Sequence, residues 1–289
     1  YNAFTDLIRY KGKFFCTFRE GTSHAGEVGN VRIIESVDGD FWESSHVFYG
    51  ELGVKELGIA PIDHLTGVDF RDPKLSITPD GRLMMVFGGS TLVKGVLVDR
   101  DSRVAFSDNG RDWTTPVTVL RDGRWLWRVT WYGDTAYGYA YEKNVVDLAR
   151  SGFLVTSKDG VNWDYVAQLD IDYASEATIR FKDNGEMVML ARTEPLSGRP
   201  RVARIGTSNP PYKKWKWKEI PNGLGGPNFI MLPDGRWVAG SRFRGGESFR
   251  WKKSPQTALF WMTEESFEPF AVLESGGDNS YPGFIWVKD

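Results

Sequence analysis

One cysteine, Cys16, stands in 289 residues. A disulfide framework is therefore excluded, and so is a zinc site built on thiolates, because both need cysteines in sets. Within the stretch KFFCTFRE, Cys16 reads as a buried strand residue. Histidine is scarce as well. His24, His46 and His64 have no ligand spacing to one another, so neither a metal nor any other cofactor is expected. No apolar run approaches the roughly 20 residues of a membrane helix, and no membrane partner is expected. Charge of one sign is also missing: 36 Lys and Arg face 38 Asp and Glu, a formal net of −2. The one dense basic stretch, YKKWKWK at Tyr212–Lys218, reads as a solvated strand end and not as a nucleic-acid footprint, so no nucleic-acid partner is expected. Helical periodicity is absent over any useful length. The sequence opens on Tyr1 and not on Met, which reads as the loss of an upstream segment.

Aromatic residues, by contrast, are 14% of the chain, with 12 Trp. Together with 41% hydrophobic residues they suit a β-rich core, a carbohydrate-facing surface, or both. Two phrases recur. The first is an apolar strand, a glycine turn and a second apolar strand, centred on Gly12, Gly81, Gly133, Gly185 and Gly235. After a longer first step these turns come about every 50 residues, the spacing of propeller blades. The second is Ser-x-Asp/Asn-Gly-x-x-Trp: SVDGDFW from Ser36, SDNGRDW from Ser107 and SKDGVNW from Ser157, with degenerate versions near TSNPPYKKW and TEESFEPF. Each unit reads as strand, tight turn, strand, loop, strand, second turn, strand. The expectation is an all-β, six-bladed β-propeller forming a single domain over residues 1–289. Its sixth blade starts at SYPGFIWVKD and is left incomplete.

The Ser-x-Asp-Gly phrases resemble the Asp-box repeat of sialidases and related bacterial propellers, one residue shorter than the usual spacing. Asp38, Asn109 and Asp159 are accordingly read as turn-forming and not catalytic, since an Asx side chain caps nearby N–H groups and glycine takes positive φ. In a propeller the first strand of each blade lines the channel. The polar residues that precede the glycine turns are therefore the candidates for chemistry: Asp6, Arg71, Asp72, Arg128, Glu176, Asn228 and Tyr281. Charge at such positions is costly unless paired or used. An interblade ion network is the other reading of the set.

Two segments carry a closer resemblance. SEATIRFKDNGEMVMLAR, from Ser175 to Arg192, is similar to the sialidase segment in which a Glu opens an inner strand and an Arg closes its partner. GGDNSYPGFIW is similar to the segment that holds the sialidase nucleophile. The resemblance implies Tyr281 as nucleophile, Glu176 as its base and Arg192 as one of three arginines that bind a substrate carboxylate. A neutral phenol, with a pKa near 10, needs a close base to attack carbon. The Arg-Ile-Pro that usually opens the first inner strand is replaced by AFTDLI, and Asp6 in that place would repel a substrate carboxylate. Arg19, Arg71 and Arg128 are the candidates to compensate. The third arginine falls among Arg242, Arg244 and Arg250. The expected acid loop, REGTSHAGEVGN, offers Glu20, His24 and Glu27 but no Asp. His24 is taken as the acid on its side-chain pKa, the alternative being a loop histidine bonded to backbone. Trp125, Trp127 and Trp131 share one strand face opposite Arg128 and read as packing, with a sugar platform as the alternative.

Three functions stay open at this point. The leading one is an exo-acting, retaining glycoside hydrolase on an acidic or terminal sugar. The second is a polysaccharide lyase using Tyr281 or His24 as base. The third is a non-catalytic glycan-binding propeller. A carbohydrate partner and a monomer are expected, with a secreted or periplasmic location if the glycan is extracellular.

Overall fold

The computed structural model describes residues 1–53, 58–60, 64–120, 123–143, 150–194, 202–243, 255–275 and 279–287. All regular structure among them is β, and no helix is long and apolar enough to cross a membrane. The strands form five antiparallel sheets, each in chain order. The first holds β1 (Asn2–Tyr10), β2 (Lys13–Glu20), β3 (Asn30–Ser36) and β4 (Glu43–Phe48). The second holds β5 (Glu51–Leu52), β6 (Gly67–Ile77), β7 (Leu83–Val93), β8 (Val96–Ser107) and β9 (Val117–Val119). The third holds β10 (Trp125–Tyr132), β11 (Thr135–Lys143), β12 (Arg150–Ser157) and β13 (Asp164–Leu169). The fourth holds β14 (Ala174–Phe181), β15 (Met187–Thr193), β16 (Ala203–Ser208) and β17 (Lys216–Ile220). The fifth holds β18 (Asn228–Met231), β19 (Trp237–Phe243), β20 (Gln256–Met262) and β21 (Phe267–Val272).

The expected sixth blade is corrected by this topology. Residues 279–287 form no strand, so the described residues make five blade-like sheets and not six. The reason is where the segment packs. Asn228 donates to the Pro282 carbonyl at 3.0 Å, and Phe284 and Pro282 lie against Gly240. The segment therefore packs on β18 and β19 instead of starting a ladder of its own.

The chain divides into two compact units, residues 1–136 with 157–163, and residues 137–156 with 164–289. The first has a core of Tyr10, Phe15, Val31, Ile33, Phe87 and their neighbours. Trp125 and Trp127 of the same unit are also buried, the former against Gly88 and the latter beneath the Lys74 ammonium, 4.9 Å from its ring. The second has a core that includes Val188, Leu190, Ile205, Phe229 and Phe260. The five hairpin glycines all have φ between +57° and +85°, the left-handed region in which a side chain is strained.

The three Ser-x-Asp/Asn-Gly-x-x-Trp turns share one geometry. The serine hydroxyl accepts the glycine N–H at 2.8 Å in each. The Asx oxygen accepts the next two N–H groups: Asp38 those of Asp40 and Phe41, Asn109 those of Arg111 and Asp112, Asp159 those of Val161 and Asn162. Each indole closes the turn on the glycine carbonyl three residues back. Burial opposes ionisation of Asp159, but its N–H donors outweigh that and hold its carboxyl at about 2. In the second unit, Trp215 repeats the indole bond on the Tyr212 carbonyl at 3.1 Å.

Candidate active site

Register irregularities occur in several strand pairs, and three of them fall beside candidate residues. Each of the pairs β1/β2, β6/β7 and β14/β15 shifts, between Ala3 and Asp6, between Arg71 and Lys74, and between Ala174 and Ala177. A bulge re-aims the side chains beside it and concentrates near functional sites. Asp6, Asp72 and Glu176 all stand at such bulges.

In the second unit the bulge in β14 turns Glu176 toward three donors. Its Oε1 accepts the Tyr281 hydroxyl at 2.9 Å and Arg192 Nη1 at 2.8 Å, and its Oε2 accepts the Gly226 N–H at 2.5 Å. Glu176 and Tyr281 are 6% and 8% exposed, so these bonds are made largely out of water. Burial alone would raise the Glu176 carboxyl. The Arg192 charge and the Gly226 N–H outweigh it and hold the group below the usual carboxylate range, ionised at neutral pH. Burial opposes the Arg192 charge in turn, and Glu176 and Glu194 more than restore it, raising that guanidinium. Arg192 Nη2 reaches Glu194 at 3.2 Å, and Ser175 donates to the same carboxylate at 2.9 Å.

Tyr281 itself sits at φ +67°, a backbone state that a bulky residue holds only when its surroundings impose it. Gly226 is part of that imposition. Its φ is +60°, and a Cβ there would stand 2.4 Å from Tyr281 Cδ1, so the ring lies directly on this glycine. Asn228 fixes the other side through Pro282, and Arg180 Nη2 donates to the Asn228 side chain at 3.0 Å. The Arg242 side chain flanks Gly225, while its N–H donates to the Gly225 carbonyl at 3.0 Å. Arg244 and Arg250 lie outside the described residues.

The other sequence-derived candidates belong to the first unit, where two ion groups account for most of them. Asp6, 1% exposed, receives Arg128 through both Nη atoms at 3.0 Å and the Leu75 N–H at 2.8 Å. Arg19 is fully buried. Its Nε donates to Asp69 at 2.8 Å, its Nη1 to the Ser23 carbonyl at 2.7 Å and its Nη2 to the Glu27 carbonyl at 3.2 Å. Arg71 lies 3.4 Å from the second Asp69 oxygen, 3.9 Å from Asp72 and over the Phe4 ring at 4.8 Å. Asp72 and Phe4 both have positive φ, +56° and +64°. His24 is exposed, with Nδ1 2.9 Å from the Tyr1 hydroxyl and its ring edge-on to Phe4. Burial raises Asp69 in spite of its two arginines.

The structure thus brings together Tyr281, Glu176 and Arg192 in one unit, and Asp6 with Arg128 and Arg19 with Arg71 in the other. It also adds residues the sequence did not single out. Glu194 and Asp69 each stand two positions from an arginine already chosen, the spacing that puts side chains on one strand face, and that signal was available. Gly226 carried none, because its role is a backbone N–H and a missing Cβ. Half-buried Cys16 has its thiol pushed up to about 12 by burial, next by the Asp6 charge. Among the described residues no group of three His, Cys, Asp or Glu side chains converges as a metal site.

The sequence matches no protein-family model and none of the curated proteins. Solved structures do match. A protein of unknown function from Dyadobacter fermentans shares 18% identity and a TM-score of 0.74 over 98% of this chain and 86% of that one. A Hadza microbial sialidase shares 13% identity with a TM-score of 0.71, and the sialidase of Trypanosoma rangeli 13% with 0.69. This chain aligns over 97% and 98% of its own length but spans only 60% and 50% of those two sialidases.

Proposed function

From the sialidase-like β-propeller fold that these similarities establish, we propose that the chain is an exo-acting, retaining glycoside hydrolase for an acidic or terminal sugar, the propeller being one domain over residues 1–289. The observation that carries this reading is the 2.9 Å bond from Tyr281 to an ionised, buried Glu176 that is anchored by Arg192 and Gly226. A tyrosine is held in a strained backbone state against a carboxylate there, and such a pair suits attack by the phenol oxygen as the carboxylate takes its proton.

In the first half-reaction Tyr281 Oη bonds to the anomeric carbon while the bond to the leaving oxygen breaks. The phenol proton passes to Glu176. With ordinary pKa values near 10 and 4.3, full transfer before attack would cost about 8 kcal/mol. Because Glu176 is held lower still, proton transfer accompanies C–O bond formation and does not precede it. The carboxylate also faces the positive charge that develops on the sugar ring. His24 is carried forward as the acid that protonates the leaving oxygen. In the second half-reaction water attacks the same carbon, gives its proton to the deprotonated acid, and releases Tyr281, which recovers its own proton from Glu176. Two displacements retain configuration. Arg192, besides holding Glu176, offers its remaining N–H groups to an acidic substituent of the sugar, and Arg242 and Asn228 complete this side. Asp6, Arg19, Arg71, Asp72 and Arg128 are carried as substrate-side residues of the first unit.

The test is a screen of fluorogenic sialosides, uronides and neutral glycosides against the wild type and Tyr281→Phe. Release from one substrate that the variant fails to cleave supports the hydrolase. The cation beside Tyr281 also suits a lyase, in which the tyrosine removes a proton next to a uronate. An unsaturated product absorbing in the ultraviolet, with no hydrolysis, would replace the first reading with that one.

A further inference from the structure

The basic stretch Tyr212–Lys218 is left unused by the reading above, and in the fourth sheet it is an organised surface. The buried Tyr212 ring anchors it, with the hydroxyl on the Gly185 carbonyl at 2.9 Å. The Ser208 hydroxyl donates to the Lys214 carbonyl at 2.6 Å, and the Trp215 indole to the Tyr212 carbonyl at 3.1 Å. A cleft of about 450 Å³ opens on this turn, within the usual size range of ligand sites. It is lined by Lys213, Lys214, Lys216, Trp215, Asn209 and Glu186, with Thr207, Ser208 and two prolines completing the wall.

Three features of the cleft point the same way. The ammonium groups of Lys213, Lys214 and Lys216 have no carboxylate partner among the described residues, whereas Lys218, next along, is paired with Glu265 at 3.3 Å. The one acidic side chain in the lining, Glu186, is bonded to Lys182 at 2.6 Å, a cation it shares with Glu264, so the lining sets three lysines against one carboxylate. Trp215 stacks one face on Trp217, with centroids 5.1 Å apart and planes at 13°, and Trp215 but not Trp217 lines the cleft. The arrangement is one indole platform flanked by three exposed lysines and the exposed amide of Asn209.

We infer that this cleft is a second binding site, distinct from Tyr281 and Glu176, for an acidic sugar residue of a glycan. The C–H face of the sugar packs on Trp215, its carboxylate meets the lysines, and its hydroxyls meet the exposed Asn209 amide. A nucleic-acid strand would need successive stacking rings along a basic groove. Here a single indole and a wall of Pro210 and Pro211 bound a space for one or two sugar units. The site does not rest on the proposed hydrolysis, since it requires no chemistry.

The experiment titrates tetragalacturonate, neutral maltotetraose and a ten-nucleotide oligothymidylate into the full chain, read by tryptophan fluorescence and calorimetry. The expected result is binding of tetragalacturonate that maltotetraose does not reproduce. It should weaken by about tenfold or more in the K213Q/K214Q/K216Q variant and in Trp215→Ala, and stay unchanged in Tyr281→Phe. The three lysines are exposed, so the triple variant keeps its fold, and its circular dichroism checks this. Absence of tetragalacturonate binding, equal binding by the triple variant, or tighter binding of the oligothymidylate at these lysines would each overturn the inference. Loss in Tyr281→Phe alone would place the sugar at the other site and overturn it as well.

Discussion

Gly226→Ala is the sharpest probe of how the site is held. The added Cβ would lie 2.4 Å from Tyr281 Cδ1 and 2.6 Å from Cγ, where ordinary contact begins at 3.4 Å. The ring must retreat by about 1 Å, a shift large against the 2.9 Å bond that its hydroxyl makes to Glu176. The φ of +60° adds about 1–2 kcal/mol of backbone strain for alanine. Tyr281, already at φ +67°, has little latitude to absorb the shift. A displacement of about 1 Å at the reacting groups costs on the order of 100-fold in rate. The assay is kcat for a glycoside that wild type cleaves and Tyr281→Phe does not, together with urea unfolding. The expected outcome is about 100-fold lower kcat with a stability loss of about 1–3 kcal/mol. A normal kcat, whether or not stability falls, would refute the claim that this glycine sets the Tyr281–Glu176 contact.

Further predictions concern single groups. Glu176→Gln should lower kcat by about 10²–10⁴-fold, the usual contribution of a positioned base, as measured on the same glycoside. Because the folded carboxyl is depressed, its contribution to stability is complete above the unfolded value near 4.3 and is lost as pH falls through the lower folded value. Acid unfolding of Glu176→Gln should therefore be flatter below about pH 4 than that of wild type. Asp159→Ala should leave kcat unchanged and cost about 1 kcal/mol at pH 7, since the carboxylate is exposed and its bonds are partly screened. That cost should vanish as pH falls from about 4 toward the folded value of about 2, a window accessible to denaturant titration. Arg128→Met strips Asp6 of both guanidinium bonds and should cost about 3–5 kcal/mol, with Asp6→Asn in the same chain recovering much of it. A loss below about 1 kcal/mol in the single variant would show that the pair is not a structural tie.

The repeat was readable because its parts are local. A glycine at positive φ and an Asx side chain capping the next two N–H groups leave a fixed spacing in the sequence. The strands between them follow from alternating or continuous apolar runs. The sixth blade failed on the same reasoning, because whether SYPGFIW pairs as a strand depends on Asn228 and Gly240, which lie far away in the chain. The basic stretch is solvated as read, with Lys213, Lys214 and Lys216 exposed, but their common setting was not legible. Its lysines look solvated one at a time, and only the turn on Tyr212 and Ser208 gathers three of them around one cleft.

By itself the sequence determined an all-β repeat with Glu176 and Arg192 on paired strands, since side-chain chemistry and turn residues are written position by position. What the tertiary structure decided was which charges meet. Asp6 reaches Arg128 across 122 residues, and Tyr281 reaches Glu176 across 105. Two of the deciding elements, the bulge that aims Glu176 and the bare N–H of Gly226, involve backbone geometry, for which no side-chain letter stands in the sequence.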